Sequence, residues 1–322
     1  MADSSRTVLL AGATGYIGRA VAAELVARGY RVVALVRSAP DPDGLDGCEI
    51  LRVEITDANR LNAALDDVDA DALVSCIASR SGEPKDTWLV DYQANANLLR
   101  ATARTGARKF VLLSAICVQK PLLAFQHAKL AFEKELRESG LDYSIVRPTA
   151  FFKSLSGQVD RVRSGKPFIV FGDGTGTACR PISEGDLARY IAACLGDPRL
   201  SNRILPIGGP GDALTPRQQG ALLFELTGMP PRYRQVPVAI FNLAIALLAP
   251  FAKLSPKLAA KAELARIGRY YATESMLTWD AENGRYDADA TPATGTDTLA
   301  DHYARMLREG SDGQELGDHK VF

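Results

Sequence analysis

Thr7-Val8-Leu9-Leu10-Ala11-Gly12-Ala13-Thr14-Gly15-Tyr16-Ile17-Gly18 is the stretch that decides the fold. The run from Thr7 to Ala11 suits a buried strand, and the glycines follow at once, before a helical pattern that continues to about residue 28. In this G-x-x-G-x-x-G spacing Gly12 permits a tight turn, and Gly15 lets the backbone approach a pyrophosphate where unsatisfied helix N–H groups point outward. Gly18 lets helix and sheet pack closely. Strand, glycine turn and helix in that order are far more specific than glycines in an arbitrary loop. Gly12, Thr14, Gly15, Tyr16, Ile17 and Gly18 are therefore candidate contacts for a dinucleotide.

Outward from this motif, short runs rich in Val, Ile and Leu alternate with longer segments of helical period. Strands are expected at 7–11, 31–36, 49–53, 72–76, 109–113 and 143–146, with helices near 16–28, 57–65, 88–105, 122–139 and 183–195. This is the βαβ rhythm of an α/β protein with a doubly wound parallel Rossmann sheet. After Arg147-Pro148 the rhythm breaks. Residues 168–171 read as a strand, 172–176 as a loop, and 204–207 as a strand returning to the sheet. Thr215-Pro216-Arg217-Gln218 offers a cap, a proline at the first helical position and a glutamine three residues after the cap, so a helix should begin there. The rest reads as mostly helical.

At the end of the second strand, where an NAD enzyme offers an acid to the ribose hydroxyls, the chain has Arg37-Ser38. A guanidinium beside a small hydroxyl suits the adenosine 2′-phosphate, which favours NADP(H), although a solvated surface arginine is the plain alternative. The expected division is a Rossmann domain over 1–155 holding NADP(H), with 183–209 returning to it. Residues 156–182 and 210–322 then form a smaller, mostly helical C-terminal subdomain that chooses the substrate.

With 322 residues there is room for one large α/β domain and an appendage, and 47% hydrophobic residues give it an ordinary globular core. Lys plus Arg equals Asp plus Glu at 38 each, so no overall field argues for a nucleic acid partner. The five cysteines are scattered without C-x-x-C spacing, which suggests neither a disulfide framework nor zinc, and no metal cluster is expected. A reducing compartment fits. The first residues run directly into the first strand and leave no room for a secretory signal, so the cytoplasm is expected. Residues 236–254 carry no charge between Pro237 and Lys253. They are too short to span a bilayer and are broken by Pro250, so a buried helix or pocket lid is favoured over a membrane contact.

Short-chain dehydrogenases pair a serine with Tyr-x-x-x-Lys; here Ser114 ends a strand and the next helix holds Phe125-Gln126-His127-Ala128-Lys129. Without the phenol, ordinary carbonyl–alcohol interconversion is disfavoured. Leu122, Phe125, Lys129, Phe132 and Leu136 share one helical face, so Lys129 interrupts an apolar stripe where an unpaired cation is costly. A cofactor ribose or phosphate would explain it, and so would a stem that packs while its ammonium reaches water. His127 lies off that face and reads as solvated. Cys76 and Ala78, after the fourth strand, and Pro148 and Thr149, after the sixth, should border the cofactor because strand ends line the cleft. Phe151 and Phe152 follow, and two aromatics there either stack on a flat substrate or pack in the core.

These residues resemble atypical short-chain dehydrogenase relatives, among them the divinyl chlorophyllide 8-vinyl reductases of chlorophyll and bacteriochlorophyll biosynthesis. The resemblance rests on Ser114-Ala115-Ile116-Cys117-Val118-Gln119-Lys120-Pro121, on Phe125 to Lys129, on Val74 to Arg80 and on Ile145 to Gln158. It implies an oxidoreductase that takes hydride from NADPH to reduce the 8-vinyl group of divinyl chlorophyllide a, or a related divinyl tetrapyrrole, to ethyl. A vinyl group has no oxygen to protonate, which accounts for the missing tyrosine. Lys129 and Ser114 are then the catalytic candidates, Lys129 placing the nicotinamide ribose and Ser114 orienting substrate or carboxamide. Phe125, Phe151 and Phe152 become substrate contacts, with 238–252 covering the macrocycle. A peripheral membrane contact is compatible with so greasy a pigment, and the proton donor and oligomeric state stay open. Two rivals remain: a non-catalytic NADP(H)-binding regulator or assembly subunit, and a reductase of another conjugated double bond, similar to the isoflavone-reductase relatives.

Overall fold

A computed structural model describes residues 6–37, 43–79, 82–251 and 255–310. Strands β1 (Thr7–Ala11), β2 (Arg31–Val36), β3 (Glu49–Arg52), β4 (Ala72–Ser75), β5 (Lys109–Leu113) and β6 (Asp142–Pro148) fall where the apolar runs predict. All pair in parallel. Strand β7 (Phe168–Phe171) stands apart, while β8 (Arg203–Ile207) returns to pair with β6. The seven-stranded sheet has the order β3-β2-β1-β4-β5-β6-β8. The order reverses between β1 and β4, and the crevice outside the carboxyl ends of these strands is where doubly wound sheets bind ligands. The glycine motif lies there.

Helices α1 (Tyr16–Ala27), α2 (Ala58–Leu65), α3 (Pro84–Thr87), α4 (Asn95–Thr105) and α5 (Ala124–Glu138) connect the strands up to β6. Between α3 and α4 the segment Trp88–Ala94 is a π-helix, where the sequence pattern had suggested one continuous α-helix. Short helices α6 (Phe152–Leu155) and α7 (Val159–Arg163) follow β6, and α8 (Glu184–Ala193) packs beside α1. Both faces of the sheet are covered. One holds Leu10, Val21, Leu25, Val111, Leu187 and Ile191; the other holds Leu9, Leu61, Leu73, Leu98, Phe110 and Phe132. Burial on both faces is why these strands read as continuous apolar runs rather than alternating ones.

Beyond β8 come α9 (Pro216–Thr227), β9 (Tyr233–Val236), α10 (Ala239–Leu248), α11 (Pro256–Thr273), the hairpin β10 (Thr278–Asp280) and β11 (Arg285–Asp287), and α12 (Leu299–Glu309). Helix α9 starts as its sequence dictates: Thr215 and Gln218 form a reciprocal capping box with Pro216 in the first turn. Strand β7 pairs with β9 in a small sheet of its own. Its core, with Phe152, Val162, Phe168, Leu223 and Tyr303, is separate from the two beside the main sheet.

The apolar stretch after Pro237 corrects an expectation. None of α10 is buried, and Ile240, Leu243, Leu247 and Phe251 are more than half exposed. The helix packs on one side only, with Phe241 over Gly268 of α11 and against Phe171, ring centroids 4.8 Å apart. A helix that is apolar all round buries only the stripe for which the fold supplies a partner. No helix among the described residues is long and apolar enough to cross a membrane.

Candidate active site

The loop after β1 is set by backbone contacts. Gly12 has φ +79°, and a Cβ there would lie 2.6 Å from the carbonyl carbon of Cys76; one on Gly18 would lie 2.0 Å from the Gly12 carbonyl oxygen. Gly15 is different. It is exposed, and a Cβ on it would meet only the Gly12 oxygen, at 3.3 Å, so its outer side is open. Helix α1 has neither a side-chain cap nor an acid in its first turn. Its leading N–H groups therefore present an open, electropositive end that fits a pyrophosphate.

The neighbours of these glycines divide the work. Thr14 is half-buried, whereas the Ile17 side chain sits in the core and can offer a ligand only its backbone. The Tyr16 phenol donates to Glu184, and the Lys153 ammonium stands 5.0 Å over its ring. Arg37 is exposed directly after β2, and Ser38 lies outside the described residues. Cys76 follows β4, its thiol pushed up to about 12 by burial, and Ala78 is exposed beside it.

Lys129 is buried, and it is not the unpaired cation that the sequence suggests. Its Nζ stands 2.9 Å from Asp91 Oδ1, with the two side chains 9% and 1% exposed. The contact is an ion pair more than an aligned hydrogen bond. Asp91 rides on the π-helix, and its other oxygen accepts from the Ser79 backbone N–H at 3.3 Å. Single turns of π-helix are frequent at functional sites, and here one carries a buried carboxylate. Asp91 escaped sequence reading because a single acid in an amphipathic pattern looks solvated.

Helix α5 also buries Gln126 and Glu133, while Leu122, assigned by periodicity to the same stripe, precedes the helix and is 59% exposed. His127 is exposed, as its phase predicts. The Ser114 hydroxyl donates to Glu133 Oε1 at 2.5 Å, and Arg147 grips both oxygens of that carboxylate, through Nε at 3.1 Å and through its terminal nitrogen. Ser114 is thus locked by a buried ion pair at the ends of β5 and β6, and its proton is committed to Glu133.

Pro148 lies in register with Ile207 of β8, and the Thr149 hydroxyl donates to the Arg180 carbonyl. Both are buried. Phe151 is half-buried against the core beside α1 and α8. Phe152 is a correction: it is 2% exposed, tilted on His302 with centroids 5.2 Å apart, and faces a core instead of a cleft. The strand bends into α6 there, so consecutive aromatics separate, one toward each core. Phe125 packs with Ala115, Cys117 and Leu123 against Ile267, Tyr270 and Tyr271 of α11.

The segment 114–121 is where the C-terminal part docks. Gln119 donates to the Leu277 carbonyl at 3.1 Å and accepts from Trp279 N–H at 2.9 Å. Lys120 pairs with Glu274 at 2.8 Å beneath the Trp279 ring. The Tyr270 hydroxyl donates to the carbonyls of Cys117 and Lys120 at 2.8 and 3.2 Å. Sequence reading missed every one of these partners, since each lies more than a hundred residues downstream of the segment it holds.

A family model described as NAD(P)H-binding matches residues 12–198. The chain is 50% identical to the chloroplastic divinyl chlorophyllide a 8-vinyl-reductase of Cucumis sativus, over 98% of this chain and 79% of that protein. The chain belongs to the divinyl chlorophyllide a 8-vinyl-reductase family. A second member of this vinyl-reductase family, from Oryza sativa subsp. indica, is 49% identical over 100% of the chain and 84% of its own length. The fold is that of the leucoanthocyanidin reductase of Vitis vinifera, solved with NADPH: TM-score 0.69 at 15% identity, over 94% of this chain and 99% of that one. In vinyl-reductase terms, the segment 114–121 that carries the resemblance is the platform on which α11 and β10 are seated.

Proposed function

We propose that this chain reduces the 8-vinyl group of divinyl chlorophyllide a, or of a closely related divinyl tetrapyrrole, to ethyl in chlorophyll or bacteriochlorophyll biosynthesis. The observation that carries the reading is identity of about half over nearly the whole chain to relatives with that name. The chain is an NADPH-dependent oxidoreductase. NADPH, when bound, supplies a hydride to the substrate carbon.

The chain's own residues hold and orient. Gly12, Gly15 and the open end of α1 receive the pyrophosphate, and Arg37 with Ser38 receives the 2′-phosphate. Lys129, fixed by Asp91 and through it by the Ser79 backbone, presents a directed ammonium to the ribose hydroxyls. Its charge is balanced before any ligand arrives, so a neutral sugar suits it better than a second anion. Ser114, clamped by Glu133 and Arg147, shapes the wall beside β5 instead of moving protons. Phe125 and Phe151 supply apolar surface for a flat macrocycle, and phenylalanine at 125 matches a reacting group that has no oxygen. Hydride adds to the terminal vinyl carbon, the macrocycle delocalises the resulting negative charge, and a proton completes the ethyl group at the inner carbon.

In this reading 1–155 and 183–209 serve the cofactor, and 156–182 and 210–322 the substrate. Five free cysteines suit a reducing, cytoplasm-like compartment. The exposed apolar side of α10 suits peripheral contact with a pigment-bearing membrane. The test is anaerobic incubation of purified protein with NADPH and divinyl chlorophyllide a. A blue shift of the Soret band that requires NADPH supports the reading. NADPH binding without a shift would select the non-catalytic rival.

A further inference from the structure

Reduction of a vinyl group consumes one proton as well as one hydride, and the reading above leaves the proton without a source. The described groups beside the carboxyl ends of β4 and β5 narrow the choice. Ser114 already donates to Glu133, and Tyr270 to two carbonyls. Lys129 cannot release a proton without stranding the buried Asp91 carboxylate. Cys117 is fully buried beneath Phe125 and α11.

Tyr271 remains. It is half-buried, next to Tyr270 with rings perpendicular at 5.6 Å, and packs in one cluster with Ala115, Cys117 and Phe125. Ala115 directly follows Ser114 at the end of β5, so α11 adds a phenol to the cluster in which Phe125 of α5 lacks one. Its phenol lies beside the Cys117 thiol, and Cys117 is near enough to Lys129 to feel its charge. We infer that Tyr271 is the proton donor of the reaction, its phenolic O–H breaking as a C–H bond forms at the inner vinyl carbon. The phenolate is then reprotonated by water, so each turnover consumes one hydride and one solvent proton. Burial holds this phenol well above its usual range, which keeps it protonated at neutral pH until a strongly basic carbon is formed. The inference rests on the vinyl-reductase reading.

The experiment compares wild type with Tyr271→Phe using NADPH and divinyl chlorophyllide a. The variant should lose about a hundredfold or more in kcat, as removal of a general acid does, while KM for pigment and Kd for NADPH change by less than about threefold. Its residual rate should climb as pH falls, because hydronium replaces the phenol, where the wild-type rate is flat. A packing role would lower the rate without adding that slope. Turnover by Tyr271→Phe within about threefold of wild type overturns the inference alone, as does a loss of rate with no pH slope. A wild type that binds NADPH yet leaves the pigment unchanged overturns the reading and the inference together.

Discussion

Helix α5 buries two of its charges, whereas α10 carries none and has no fully buried side chain. On α5, Gln126, Lys129 and Glu133 are buried beside Phe132 and Leu136. On α10, Ile240, Leu243 and Leu247 face outward. Hydropathy ranks the two helices the wrong way round. What decides burial is position. Helix α5 lies against the central strands of the sheet, where every polar group finds a partner: Asp91 for Lys129, Arg147 and Ser114 for Glu133, and the Cys117 carbonyl for Gln126 at 3.0 Å. Helix α10 lies at the outside of the C-terminal part and has α11 on one side. Buried charges paired with one another are costly to assemble and specific in geometry, which is the character of a site.

The sharpest way to break this comparison is to unpair the buried charges. Lys129→Met should destabilise the fold by about 3–5 kcal/mol, because it strands Asp91 in the interior. Adding Asp91→Leu should return most of that stability, since an apolar pair of similar volume avoids the desolvation penalty. Turnover should stay lost in both. Urea unfolding of the two variants beside the Soret assay checks this, and recovery of turnover in the double variant would reduce Lys129 to a structural role.

A smaller effect should come from the third core, where His302 is buried. Its Nε2 lies 2.9 Å from Ser156 Oγ and its Nδ1 takes a hydrogen bond from Arg305 at 3.2 Å. Since Arg305 can only donate, the ring is neutral with its proton on Nε2. Burial and the Arg305 charge hold the His302 pKa below its ordinary value. The folded state thus binds fewer protons than the unfolded one. The stability that the neutral ring contributes is complete above about pH 6.5 and is lost as pH falls below it toward the folded-state pKa. Unfolding free energies of wild type and His302→Gln between pH 8 and pH 5 (about the range in which histidine titrates) should show a wild-type decline that the variant lacks.

The smallest effect belongs to α10. Leu243→Glu and Leu247→Glu should each change the unfolding free energy by less than about 0.5 kcal/mol, because neither side chain leaves a core. A larger loss in thermal denaturation would mean that this side is covered in the folded protein in solution.

The glycine loop, the strands of the sheet and the start of α9 were legible in the sequence because each is specified locally, by turn geometry, by two-sided burial or by a capping box. The return of β8 to the sheet was legible too. The partners were not. Asp91 and Glu133 look like ordinary solvated acids until the fold sets them against Lys129 and Arg147. Phe151 and Phe152 look equivalent until the chain bends between them. The docking of Tyr270, Tyr271 and Trp279 onto 114–121 depends on contacts across more than a hundred residues, beyond the reach of any local pattern.

The most direct test of the central claim is one round of reduction with NADPH deuterated at the transferable position of its nicotinamide ring. Mass spectrometry and NMR of the pigment should find about one deuterium per product, in the terminal methyl of the new ethyl group, with the inner carbon carrying hydrogen from solvent. Ethyl product without label, or with label at the inner carbon, would contradict the account.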